Sequence, residues 1–270
     1  MAAALLSEIS LEPPVGVDVI ASLQGISRVE VVPQPWAGCL TTTDQGLVIR
    51  LSDRDSRSRQ RFTAFHEVSH TFLPGFALAP QFRCDPGENQ KRSNEEYLCD
   101  LGASELLFPR YHFERDITEL SFGMDSVELL ARKYEGSLEA TTRRLVDLSA
   151  DQMMMVVLDV RLKPSEVDSP NATPKLRVRY CHGNGDWPFV PKFKSTTRDS
   201  VAQLAFEDGE AHGATKLDGL VPGFDSSVKA SALSCPYFDN QGEKHERVIA
   251  LYRKPERGTR MGNTNRFSRV

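Results

Sequence analysis

The sequence predicts an α+β fold, and three observations carry that reading. Short extended segments near the start run into a helix that holds a His-Glu-x-x-His pattern, two further helices meet at Gly136-Ser137, and β-rich segments separated by Pro, Gly, Asp and Ser follow residue 150. The chain has 270 residues and is 40% hydrophobic, enough to fill real cores. With 33 Lys+Arg against 37 Asp+Glu the formal net charge is -4, too mild for a polyanion to be the main partner of the whole molecule. Met1 to Glu8 has no basic segment and meets an acid early, which argues against a secretory signal. No apolar run approaches the roughly 18 residues of a membrane span, so no membrane partner is expected. The cysteines at 39, 84, 99, 181 and 235 are odd in number and form no CxxC pair, which points to a reducing compartment and a cytoplasmic location.

Taken in order, Val17 to Leu23 reads as a short helix, and Ser27 to Val32, Gly38 to Thr42 and Gly46 to Leu51 as strands, with Thr43-Asp44-Gln45-Gly46 as a turn. A small antiparallel sheet is the expectation. From Ser56 to Leu73, Phe62, Phe65, Val68 and Phe72 recur at helical spacing and Pro74-Gly75 ends the segment. A loop rich in Gly and Pro runs to Ser93, long enough to form a lid or cleft wall, and a helix from Glu95 to Phe108 stops at Pro109. Asp125 to Glu128 has capping-box spacing and opens a helix through Tyr134; Leu138 to Leu148 forms a second. Together they suggest a helix-turn-helix or a plain helical hairpin. Strands are expected at Met153 to Val160, Leu176 to Tyr180, Ser227 to Leu233 and Arg247 to Tyr252, and the cationic stretch from Arg253 to Val270 as a flexible basic tail. The expected domains are 1–120, the hairpin 121–150, a unit 151–252, and the tail 253–270.

Residues four apart on a helix share a face, so His66 and His70 can hold one ion between their imidazoles, while Glu67 on the adjoining edge can serve as general base without ligating it. Such a pattern suits metal-assisted peptide hydrolysis. The bland reading is two histidines that happen to share a face. A catalytic zinc takes three protein ligands and keeps one position open. Glu96 is the candidate third ligand, and Asp100, four residues on, a candidate acceptor for a ring N–H of His66 or His70. Glu96 has a competing role, because Ser93-Asn94-Glu95-Glu96 is itself a capping box. Cys84, Cys99 and His112 are alternative ligands. One Zn2+ per chain is expected, with Mn2+ the second choice for two imidazoles and a carboxylate.

The stretches Arg61 to His70 and Glu96 to Pro109 resemble the ImmA/IrrE metallopeptidases, a gluzincin-like group, and 126–148 looks like the hairpin that follows in many members. The likeness covers about residues 14 to 150; the remainder resembles the longer IrrE-type members, which carry a GAF-like sensor domain. This resemblance implies a zincin-like peptidase domain, a helix-turn-helix-like hairpin and a mixed α/β GAF-like C-terminal domain. It further implies an endopeptidase that removes a transcriptional repressor, typically of the helix-turn-helix type, and so induces a stress or mobile-element programme. By the same matching His66, His70 and Glu96 are ligands and Glu67 is the base. Where many members have Gly before the second histidine, this chain has Ser69, which is expected to spare ligation and alter packing against the neighbouring helix.

Other signals are weaker. Arg143 and Arg144 stand beside Glu139 and Asp147, so a solvated helix face is favoured over phosphate contacts, and direct DNA binding is a minor expectation. Arg54, Arg57, Arg59 and Arg61 either steer an acidic substrate or form a solvated helix start. His182 is either an oxyanion stabiliser or an ordinary loop histidine. Two alternatives to a protease remain: a non-proteolytic antirepressor or DNA-associated sensor with a structural metal site, and the toxin-like half of a paired system.

Overall fold

The computed structural model describes residues 1–2, 6, 11–74, 81–83, 93–239 and 241–255, with the backbone alone for 81–83. The expected loop between Gly75 and Ser93 lies largely outside these residues, as does the tail beyond 255. A short helix α1 (Val17–Leu23) leads into strands β1 (Ile26–Val32), β2 (Gly38–Thr43) and β3 (Gly46–Ser52). The predicted turn joins β2 and β3: Gly46 takes a left-handed φ of 103°, and the Thr43 hydroxyl donates to the Gly46 carbonyl at 2.8 Å and accepts from the Gln45 N–H.

This sheet is mixed, which corrects the antiparallel expectation. Its order is β1-β3-β2-β4, where β4 is Gln81–Arg83, and β1 runs parallel to β3. The cause is the link Pro33-Gln34-Pro35-Trp36, which cannot make a tight hairpin. It crosses the end of β3, where Gln34 Nε2 donates to the Arg50 carbonyl and the Ser52 N–H to the Ala37 carbonyl, so β1 lies on the far side of β3.

Across this sheet lies helix α2 (Arg57–His70), capped by Ser56 Oγ accepting from the Arg59 N–H, and beside it α3 (Asn94–Leu107). Two residues beyond α3, past Pro109, the chain enters α4 (Arg110–Thr118), an element the periodicity did not reveal. The hairpin follows as α5 (Met124–Tyr134) and α6 (Leu138–Leu148), broken as expected at Gly136-Ser137. The predicted capping box is not formed. Asp125 sits inside the first turn of α5, and the Met124 N–H donates instead to Ser231 Oγ at 3.0 Å, a partner from far along the chain.

The C-terminal half is a five-stranded antiparallel sheet of β5 (Met153–Arg161), β6 (Lys175–Gly183), β7 (Glu210–Thr215), β8 (Val228–Ser234) and β11 (Arg247–Arg253), in the order β6-β5-β11-β8-β7. A two-stranded hairpin, β9 (Tyr237–Phe238) and β10 (Lys244–His245), lies between β8 and β11 in sequence. Met153, Met155, Val157, Ile249 and Leu251 share a core with the helices; Met154, Val156, Leu158, Val248, Ala250 and Tyr252 face a second core with α7 (Val201–Asp208). Burial on both faces explains why β5 reads as an unbroken apolar run. Buried Asp218 accepts from the Val201 and Ala202 N–H groups at the start of α7 and from Tyr252 and Thr215 hydroxyls, which satisfies its carboxylate.

Candidate metal centre

His66, Glu67 and His70 occupy the buried C-terminal half of α2, all at 3% exposure or less. Their neighbours explain the site's shape. Phe65 and Val68 point into the core, so helical periodicity turns His66 and His70 together toward α3, with ring centroids 5.0 Å apart. On α3 the Ser93 hydroxyl accepts from the Glu96 N–H, half of the anticipated capping box. The Glu96 carboxylate reaches the histidines: Oε2 is 3.2 Å from His66 Nε2 and Oε1 is 3.5 Å from His70 Nε2.

The far side of each ring is also held. His66 Nδ1 lies 2.9 Å from Asp100 Oδ1 and His70 Nδ1 lies 3.4 Å from Cys99 Sγ. A proton on His66 Nδ1, donated to Asp100, leaves Nε2 with its lone pair toward Glu96. His66, His70 and Cys99 can be grouped as a metal-binding trio on distance alone. The sulfur, however, meets His70 on the Nδ1 side, whereas both Nε2 atoms face the carboxylate. Burial, followed by the charges of Glu96, Glu67 and Asp100, pushes the Cys99 thiol up to about 12, so it stays protonated at neutral pH. Two imidazole nitrogens and one carboxylate are a donor set that suits a divalent cation.

Glu67 points toward the sheet. A Cβ at Gly38 on β2 would lie 3.3 Å from Glu67 Oε1 and 2.4 Å from Thr63 Cγ2, so glycine there lets α2 rest on the strand with the Glu67 carboxylate between them. Of the other candidates, His112 lies 3.5 Å from the Glu12 carboxylate, away from the trio; Cys84 falls outside the described residues. His182 is on β6 rather than in a loop, and its Nε2 pairs with Asp147 on α6 at 2.6 Å.

Two arginines have structural roles that sequence spacing did not show. Arg61, 12% exposed, donates to the Val15 carbonyl and pairs with Glu135 at the left-handed end of α5, joined by exposed Arg57. Arg59 pairs with Asp55, so much of the basic run before the motif is engaged within the fold. Arg144 is not on a solvated face: at 9% exposure it binds Glu105 and the carbonyl of Phe108, which closes the C-terminal end of α3. The hairpin therefore grips both helices that carry the site.

Fold and site together place a buried polar centre between two helices laid on a small mixed sheet. Residues 33–146 match the model of the IrrE N-terminal-like domain, Peptidase_M78. No curated protein matches the chain. Among solved structures, a Mycobacterium tuberculosis transcriptional regulator is similar in fold, with a TM-score of 0.60 over 94% of this chain and 75% of that one at 13% identity. No helix among the described residues is long and apolar enough to cross a membrane.

Proposed function

We propose that this protein is a zinc-dependent endopeptidase that cleaves a transcriptional repressor of the helix-turn-helix type, with His66, His70 and Glu96 as metal ligands and Glu67 as general base. The observation that carries the proposal is the carboxylate of Glu96, which faces the Nε2 atoms of both histidines at 3.2 and 3.5 Å. When bound, zinc polarises the scissile carbonyl and acidifies a water. Glu67 accepts the proton of the attacking water and passes it to the leaving amine, while Asp100 keeps the His66 ring in the tautomer that presents Nε2. Two imidazoles and one carboxylate favour zinc over manganese.

A division of labour belongs to the same proposal: residues 1–120 catalyse, 121–150 brace, and 151–252 form a GAF-like unit that senses the inducing signal in the cytoplasm. The five-stranded antiparallel sheet flanked by α7 supports an α/β sensor unit. The competing reading, a non-proteolytic antirepressor or DNA-associated sensor, would use the hairpin as a DNA reader. Against it, Arg143 and Asp147 are the exposed positions on α6, while Thr141, Thr142, Arg144, Leu145 and Val146 are buried.

The deciding experiment incubates the purified chain with the repressor encoded beside it, with zinc and with chelator. Cleavage by the zinc-loaded wild type, and its loss in Glu67→Gln with zinc content retained, is the expected result. Relief of repression by Glu67→Gln, with the repressor intact, would establish the antirepressor instead.

A further inference from the structure

We propose that the cavity between the helical hairpin and the C-terminal sheet is a binding site for a small, uncharged, apolar molecule. The cavity has a volume of about 430 Å³ and takes its walls from α4, α5, α6, β5 and β11. A junction of this kind, with a volume in the range of about 300–1,000 Å³, is where small-molecule sites are usually built. Ile117, Leu120, Phe122 and Leu148 line the space; all four pack against the main core, yet each is only partly buried. Buried Met153 of β5 lines it as well. Walls of this composition give water few partners, and an apolar occupant supplies the contacts that the bare walls lack.

The polar groups at the rim have partners within the fold, and this selects the class of ligand. Asp151 pairs with Arg253 at 3.1 Å, and the same guanidinium lies 4.8 Å from the centre of the Phe122 ring. Glu114 pairs with Arg110 at 3.0 Å. The Thr118 hydroxyl donates to the Arg115 carbonyl and the Ser126 hydroxyl to the Ser121 carbonyl, while Ser149 Oγ accepts from the Asp151 N–H. A carboxylate or an ammonium ligand would have to break one of these ion pairs or enter an apolar space without a counter-charge, and either is costly. An uncharged molecule meets neither cost and is held by the apolar surface it covers. None of the metal-site residues lines the cavity, so the proposal stands apart from the peptidase reading.

The test titrates N-phenyl-1-naphthylamine, an uncharged dye that brightens in apolar surroundings, into the full-length protein. A dissociation constant of about 10–200 μM is expected for an apolar ligand of this size. At neutral pH 1-octanol should displace the dye, while octanoate and octylammonium, of equal chain length, should need concentrations about tenfold higher or more. Ala150→Trp, at an exposed position that lines the cavity, should fill the space and weaken dye binding about tenfold or more, with an unchanged thermal transition. Phe189→Ser, which removes an 83% exposed ring that does not line the cavity, should leave the affinity within about twofold. The proposal fails if Ala150→Trp binds the dye like wild type, or if either ion displaces it better than the alcohol does. It fails equally if raising the protein concentration abolishes dye binding, as a second copy of the chain covering the cavity would do.

Discussion

Ser69 on α2 and Gly102 on α3 meet where no second side chain fits: a Cβ at 102 would lie 2.5 Å from Ser69 Oγ and 2.9 Å from Ser69 Cβ. Ser69 is pinned, because its hydroxyl donates to the Phe65 carbonyl at 2.7 Å within its own helix. The spacing between α2 and α3, and with it the reach of Glu96 to the histidines, is set at this contact. Gly102→Ala should therefore push the helices apart and weaken zinc binding about tenfold or more, read by competition with a chromogenic chelator. Ser69→Gly/Gly102→Ala should recover most of that loss. Equal weakening in the single and double variants would remove this contact as the cause.

Asp100 contacts His66 Nδ1 at 2.9 Å, so in the proposed zinc site it would act on the metal through that ring. Removing such a partner typically costs 10- to 100-fold in metal affinity, so Asp100→Ala is expected in that range and Asp100→Asn, which can still accept from Nδ1–H, in between. Cys99→Ala, which removes a weak sulfur partner from His70, should cost less. Titration with zinc gives the order of the three variants, and a Cys99→Ala loss greater than that of Asp100→Ala would instead place the sulfur in the coordination sphere.

What the sequence shows of this site is what helical spacing can show. His66, Glu67 and His70 are placed by one helix, and Glu96 with Asp100 by another. That the two faces meet depends on Gly102, Gly38 and the pairing of Arg61 and Arg144 with partners at positions 135 and 105, none of which leaves a periodic trace. Arg144 reads as a surface residue because its partners are remote in sequence. The parallel β1–β3 pair escaped for a related reason: strand segments are visible in composition, but their order is fixed by where a proline-containing link can cross. α7 is short, and α4 follows a proline that reads as a stop.

Arg144 provides a test of the brace between the hairpin and the metal helices. Its guanidinium serves both the Glu105 carboxylate and the Phe108 carbonyl, so Arg144→Met should destabilise the fold by about 3 kcal/mol, because it leaves a largely buried carboxylate with only the Arg110 N–H as a partner. Adding Glu105→Gln should recover part of that cost. Urea unfolding of the zinc-free protein measures both effects, and an Arg144→Met variant as stable as wild type would show that the hairpin does not brace α3.

Acid should act on the fold through Asp116. Burial raises its carboxyl, but the hydrogen bonds from Lys133, at 2.6 Å, and from the Tyr134 hydroxyl, at 2.8 Å, more than offset this and hold it below its ordinary 3.8. Because its folded value is depressed, the native state binds fewer protons than the unfolded chain; the stabilisation is fully present well above 3.8 and is lost as pH falls through the folded value. Asp116→Asn keeps the shape and removes the charge, and should cost about 1.5–3 kcal/mol at neutral pH. In zinc-free protein the gap in stability between wild type and variant should stay constant from about pH 8 to 5 and close as the carboxyl becomes protonated below about pH 4. A gap that widened in acid would mean that burial, and not Lys133 and Tyr134, governs this carboxyl.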